Sequence, residues 1–128
     1  MGSRVKKLPI YRSGYQLVLL AMKETKAFSR DLRPTLGRRI QDDAVHLVLD
    51  IYKANASQGK VEELESLLER LQALELSFQL AFDLRLINTK ALADAMDIIS
   101  DLGRQAGGWL RHARRNTIKG TSCSPSSN

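Results

Sequence analysis

Leu64, Leu67, Leu71, Leu74, Phe78 and Ala81 recur at spacings of 3, 4, 3, 4 and 3, and no other feature of the chain restricts its fold as much. A run of that kind is an apolar seam on one side of a helix, and it needs partner helices along its length. Three further segments supply them. Residues 34–56 carry Leu36, Ile40, Ala44, Leu47 and Ile51 on one stripe, with Pro34 in the first turn, where its missing N–H costs nothing. Residues 88–115 carry Leu92, Met96, Ile99, Ala106 and Leu110, with Asn88 or Thr89 as the N-cap. Residues 13–26 carry Tyr15, Val18, Leu19 and Met22 behind Ser13 as the expected N-cap. The link 56–59 (ASQG) reads as a stop and restart. The expected fold is therefore all-α: an up-down antiparallel four-helix bundle over residues 13–116, after a basic extension (1–12) and before a Ser-rich tail (117–128) expected to be disordered.

One stretch runs against this pattern. Leu74, Leu76, Phe78, Leu80, Phe82, Leu84 and Leu86 alternate with mostly polar residues, the period of a strand. The unbroken heptad and the abundance of Leu, Ala, Gln and Glu favour helix, which is expected to extend over residues 60–87. On that helix Leu76, Leu80 and Leu84 point roughly 160° away from Leu74, Phe78 and Phe82. A helix apolar on opposite sides needs a second partner, so the bundle is expected to oligomerise, with Leu76, Leu80, Leu84 and Trp109 at the interface.

Little in the chain suggests catalysis. His46 lies in an apolar run, where a partly buried, hydrogen-bonded role is expected, and His112 lies among arginines; neither sits in a recognisable pattern with a Ser or Cys nucleophile. Asp43 precedes His46 by three residues, but the second such pair that a di-iron bundle requires is missing. Asp94, Asp97 and Asp101 read as a solvated face. No phosphate-cradling Gly-rich loop occurs. The expectation is a protein that is not an enzyme, with no cofactor, no metal and no small-molecule substrate. The lone Cys123 fits a reducing compartment. The apolar run Leu17–Met22 is short for a signal core and too short for a membrane span, so the expected location is cytoplasmic, with no membrane partner.

Charge is more informative. The net charge is +6, and it is sorted along the chain. Residues 1–39 carry a net +8 and residues 57–87 a net −3, and no acid follows Asp101. Arg104, Arg111 and Arg115 fall close to one line on a helix, with Arg114 beside them, and Gly107 and Gly108 would let a phosphate backbone or another helix approach. Gly103 and Gly107 also form a small-residue pair suited to tight helix packing. Arg30, Arg33, Arg38 and Arg39 surround the start of the second stripe, with Asp42 and Asp43 placed to pair with the last two. These eight arginines are the candidate nucleic-acid contacts.

Residues 33–56 (RPTLGRRIQDDAVHLVLDIYKANA) and 103–111 (GRQAGGWLR) resemble the accessory variability determinant (Avd) proteins of diversity-generating retroelements, part of a wider set of four-helix-bundle proteins. The resemblance spans roughly residues 12–115, and Gly-Arg-x-x-Gly-Gly-Trp is its more specific motif. It implies a basic homopentamer that binds nucleic acid and associates with a reverse transcriptase copying template RNA into mutagenised cDNA, without catalytic residues of its own. Arg38, Arg39, Arg104 and Arg111 lie in the two matching segments. RNA or DNA contacted through phosphates, the reverse transcriptase and further copies of the chain are the expected partners. An rRNA-associated bundle and a purely structural assembly module are the alternatives.

Overall fold

The computed structural model describes residues 8–56 and 60–121, with side chains as far as Asn116. It is all-helical among those residues. Helix α1 covers Pro9–Thr25; a π-helical turn, Arg33–Gly37, leads into α2, Arg38–Ala56; α3 covers Val61–Asp83 and α4 Thr89–Thr121. The four α-helices pack in a ring, α1 on α2, α2 on α3, α3 on α4 and α4 on α1.

The α3 seam lies where its spacing predicts: Leu64, Leu67, Leu71, Leu74, Phe78 and Ala81 are all buried. From α2, Ile40, Ala44, Leu47 and Ile51 meet it, with Leu36 half-buried at the edge. From α4 the inward set is Ala91, Ala95, Ile99, Leu102, Ala106, Leu110 and Ala113, flanked by half-buried Leu92 and Met96. Small residues let α4 sit close, and Asn88 caps it by accepting from Ala91 N at 2.8 Å.

The sequence reading misjudges α1. Tyr15, Leu19 and Met22 are 51%, 53% and 39% exposed, and the buried set is Ile10, Gly14, Leu17, Ala21 and Thr25. The run Leu17–Met22 offers an apolar residue on every side, so bulk does not fix the phase; close approach does. A Cβ on Gly14 would lie 2.9 Å from Ile51 Cδ1, so any larger residue there would have to push the tip of Ile51 aside, and glycine lets α1 approach α2 without that shift. Ser13 is not the N-cap either. The helix starts four residues earlier behind Leu8, and Ser13 bonds across to α4.

The third helix ends at Asp83, short of the expected Ile87. Leu86 N donates to Ala81 O at 2.8 Å and Arg85 N to Phe82 O at 2.9 Å, with Arg85 at φ 62°: a Schellman motif closed by a non-glycine residue. The motif turns Ile87 back into the core, where it is buried. Arg85→Gly is expected to raise the unfolding free energy by about 0.5–1 kcal/mol, since glycine adopts the left-handed conformation without steric cost; urea denaturation measures it.

At the other boundaries, α4 continues to Thr121, past the expected end at Arg115 and into the segment expected to be disordered, while the basic extension expected over 1–12 overlaps the first turn of α1. Residues 1–7, the 57–59 link with Gly59, and the tail 122–128 with Cys123 lie outside the described residues.

Candidate nucleic-acid interface

The outer face of α4 is built by its inner one. Because Leu102, Ala106, Leu110 and Ala113 point to the core, Arg104, Arg111 and Arg115 emerge on the opposite side, and all three are exposed. Gly103 does not serve helix packing, since a Cβ there would meet nothing within 4 Å. A Cβ on Gly107 or Gly108 would meet only the Arg111 guanidinium, at 3.6 and 3.7 Å. The glycines thus give Arg111 a flat bed along the helix surface and leave it accessible.

The neighbours of each guanidinium sort the candidates. Arg104 pairs with Asp101 on its own helix. Arg114 reaches Glu65 on α3 at 2.6 Å and ties the two helices together. Arg111 and Arg115 have no carboxylate partner among the described residues. At the start of α2, Arg38 and Arg39 lie 3.8 and 3.6 Å from Asp42 and Asp43, as their spacing predicts, and Arg33 donates to Phe28 O at 3.1 Å. Arg30 is exposed, with no acidic partner among the described residues.

The eight arginines do not form one surface. Trp109 lines a hollow with Leu8, Pro9, Ile10, Asn55 and Lys60, so the later half of α4 shares an end of the bundle with the end of α2. Arg38 and Arg39 lie at the far end of α2, about 28 Å along a 19-residue helix. One stripe on α4 and a separate cluster around the π-turn result.

Trp109 is half-buried against the core of its own chain, with Lys60 Nζ 5.4 Å from its ring centroid. Leu76 and Leu80, on the outside of α3, and Leu84, just past its end, are 70%, 46% and 47% exposed, as the two-sided pattern predicts. His46 is exposed rather than partly buried, its Nδ1 2.8 Å from Asp42 O. Among the described residues no group of His, Cys, Asp or Glu is placed to hold a metal, and no helix is long and apolar enough to cross a membrane.

Asp101 is more than a solvated carboxylate. It accepts from Ser13 Oγ at 2.8 Å, from Gln105 at 2.8 Å and from Arg104, and its pKa is lowered from the ordinary 3.8. The Ser13 hydrogen bond is the largest cause; those from Arg104 and Gln105 and the charge of Arg104 add to it, against the opposing effect of desolvation. A depressed carboxylate pKa stabilises the fold above its unfolded value, and that stabilisation is lost as pH falls through the folded value. Ser13→Ala is therefore expected to be less stable than wild type at pH 7, with the difference narrowing below about pH 4, where the unfolded-state carboxyl takes up its proton, and gone once the folded-state carboxyl is protonated as well. Thermal melts across that range test it.

Sequence reading missed a further polar cluster. Arg70, on α3, reaches Asp50 Oδ2 at 2.9 Å and Asp43 Oδ1 at 3.4 Å, both on α2. Its partners lie 20 and 27 residues earlier in the chain, beyond the reach of any pairing within one helix, and only the packing of α2 on α3 brings the three together.

Comparison with known proteins returns no match: no family model, no curated protein and no solved structure.

Proposed function

We propose that this chain is a non-catalytic nucleic-acid-binding accessory factor of a retroelement reverse transcriptase, supporting mutagenic copying of template RNA into cDNA. In this reading it is an up-down antiparallel four-helix bundle, and copies of it assemble into a homo-oligomer, a pentamer by its resemblance to the Avd proteins. The observation that carries the binding role is the outer face of α4. Beyond Asp101 it presents arginines and no acid, and Arg111 and Arg115 project without a carboxylate partner among the described residues. Guanidinium groups so placed fit phosphate bidentately. The sparse aromatics, with Trp109 packed against its own core, favour backbone contacts over base stacking.

A purely structural role for part of the stripe is favoured by one observation, the Arg114–Glu65 pair between α4 and α3. Arg114 therefore belongs to the bundle first and to a ligand second.

Co-expression of the tagged chain with the reverse transcriptase encoded beside it tests the partner. The two proteins are expected to elute together after nuclease treatment. Recovery of the chain without the polymerase, but with bound RNA, would favour an rRNA-type binding protein; recovery with neither would favour the assembly module.

A further inference from the structure

Two apolar faces of the bundle are left uncovered, and their rims carry opposite charge. The first lies along the α1–α2 seam. Gly14 faces Val48 and Ile51, and Gln41 Nε2 donates to Thr25 Oγ1 at 2.8 Å, so these residues mark the side of each helix turned toward the other. Just outside that line stand Tyr15, Leu19 and Met22 of α1 and Val45, Leu49 and Tyr52 of α2, between 39% and 53% exposed. Together they expose on the order of 500 Å², near the top of the range for the largest apolar patch of a monomer. Exposed Arg12, Lys23, Lys26 and Lys53 border them; Asp42, the acid on that border, is paired with Arg38.

The second face is the stripe of Leu76, Leu80 and Leu84 on α3, continued by Leu36 and Ala73 in a shallow groove. Here the border is mostly acidic. Exposed Glu62 and Glu69 prolong the stripe toward the start of α3, and Asp83 flanks its other end, beside the exposed cation of Arg85. Arg39, which lines the groove, is tied to Asp43. Among the described side chains of α4, which extend to Asn116, no large hydrophobic residue is exposed. Within this sequence, the segments 1–7 and 122–128 contain no apolar run that would cover either face.

We infer that the occupant of each face is a second copy of this chain: the basic-rimmed α1–α2 face of one copy packs on the acidic-rimmed leucine stripe of the next. This rests on the oligomeric reading above and names its surfaces. An α1–α2 face packed on itself would bring Arg12, Lys23 and Lys26 against the same cluster, a like-charge juxtaposition that disfavours the symmetric dimer. Joining two different faces is a heterologous contact, which every copy can make twice and which closes into a ring when the rotation allows. The charged rims extend both patches toward the roughly 800 Å² per partner that a stable contact buries. The arginine face of α4 takes part in neither contact and stays open to a polyanion.

Disulfide trapping in a Cys123→Ser background tests the pairing. Leu19→Cys or Leu49→Cys on one tagged chain is mixed with Leu76→Cys, Leu80→Cys or Leu84→Cys on a chain of different length, and mildly oxidised. Mixed dimers are expected for at least one combination, with no self-dimers of Leu19→Cys or Leu49→Cys. Self-dimers of those variants, or an oligomer by light scattering that yields no mixed dimer, would overturn the pairing and leave the assembly reading standing. A species of 14.3 kDa at micromolar concentration would overturn both. As an independent check, Leu80→Glu and Leu49→Lys are each expected to reduce the mass to that of a monomer with unchanged helical circular dichroism; retention of the full mass by both would contradict the proposal.

Discussion

Replacing Arg70 by leucine is expected to lower the unfolding free energy by about 3 kcal/mol, roughly a 150-fold change in the folding equilibrium, the largest single-residue effect on stability anticipated here. Its guanidinium lies between two helices, with the side chain 26% exposed, against Asp50 and Asp43 at 11% and 14%. Removing the cation leaves two carboxylates largely out of water, with Arg39, 3.6 Å from Asp43 and itself 70% exposed, as the one remaining cation paired with them among the described residues. Asp43 Oδ2 already has no hydrogen-bond partner, so the site has no spare donor to reassign. The same reasoning predicts recovery. With Asp43 and Asp50 also changed to leucine, the desolvated charges are gone and most of the lost stability should return. Urea denaturation of the single and triple variants measures both effects. A loss below about 0.5 kcal/mol for Arg70→Leu would show that water reaches the carboxylates and that the cluster does not hold α2 to α3.

The second large effect concerns binding. Changing Arg104, Arg111 and Arg115 together to glutamine is expected to weaken binding to RNA or DNA roughly 150-fold at moderate salt, taking about 1 kcal/mol for each lost charge-assisted contact. The loss should be the same for unrelated sequences, because phosphates carry no sequence information. The salt slope should flatten by about 0.7–0.9 per lost contact. The three residues are not equivalent. Arg104 must give up Asp101 to reach a phosphate, so Arg111→Gln and Arg115→Gln should each cost more than Arg104→Gln. Assembly should persist, since α4 contributes to neither apolar face. A triple variant that binds as wild type but falls to monomers would move the arginines into the subunit interface.

The legible part of this fold is the part written as periodicity. The α3 heptad and the inner stripe of α2 appear where spacing puts them, because on a helix in a ring of four only one face meets the core. The outward leucines of α3 were legible for the same reason. What the sequence hid depends on contacts between helices. Gly14 turns inward against Ile51 and Val48, more than 30 positions away, while the bulky Tyr15, Leu19 and Met22 mislead by size. The end of α3 was hidden because an arginine occupies the left-handed position that glycine usually marks. Arg70 looks like any solvated residue until α2 is placed beside it. At the candidate interface, the alignment of Arg104, Arg111 and Arg115 on one exposed face was legible, since it follows from the 100° step alone. Which of them are already paired was not, and neither was the distance between the α4 stripe and the cluster near the π-turn.

If the α4 face meets a polyanion, binding must depend steeply on salt. Fluorescence anisotropy of the wild-type chain with a mixed-sequence RNA and an unrelated DNA would be followed between about 50 and 200 mM salt, where phosphate-driven affinity changes steeply. The logarithm of the association constant is expected to fall linearly with the logarithm of salt, with a slope of about −2 or steeper and close agreement between the two nucleic acids. No binding at the lowest salt, or binding that does not change across the range, would contradict it.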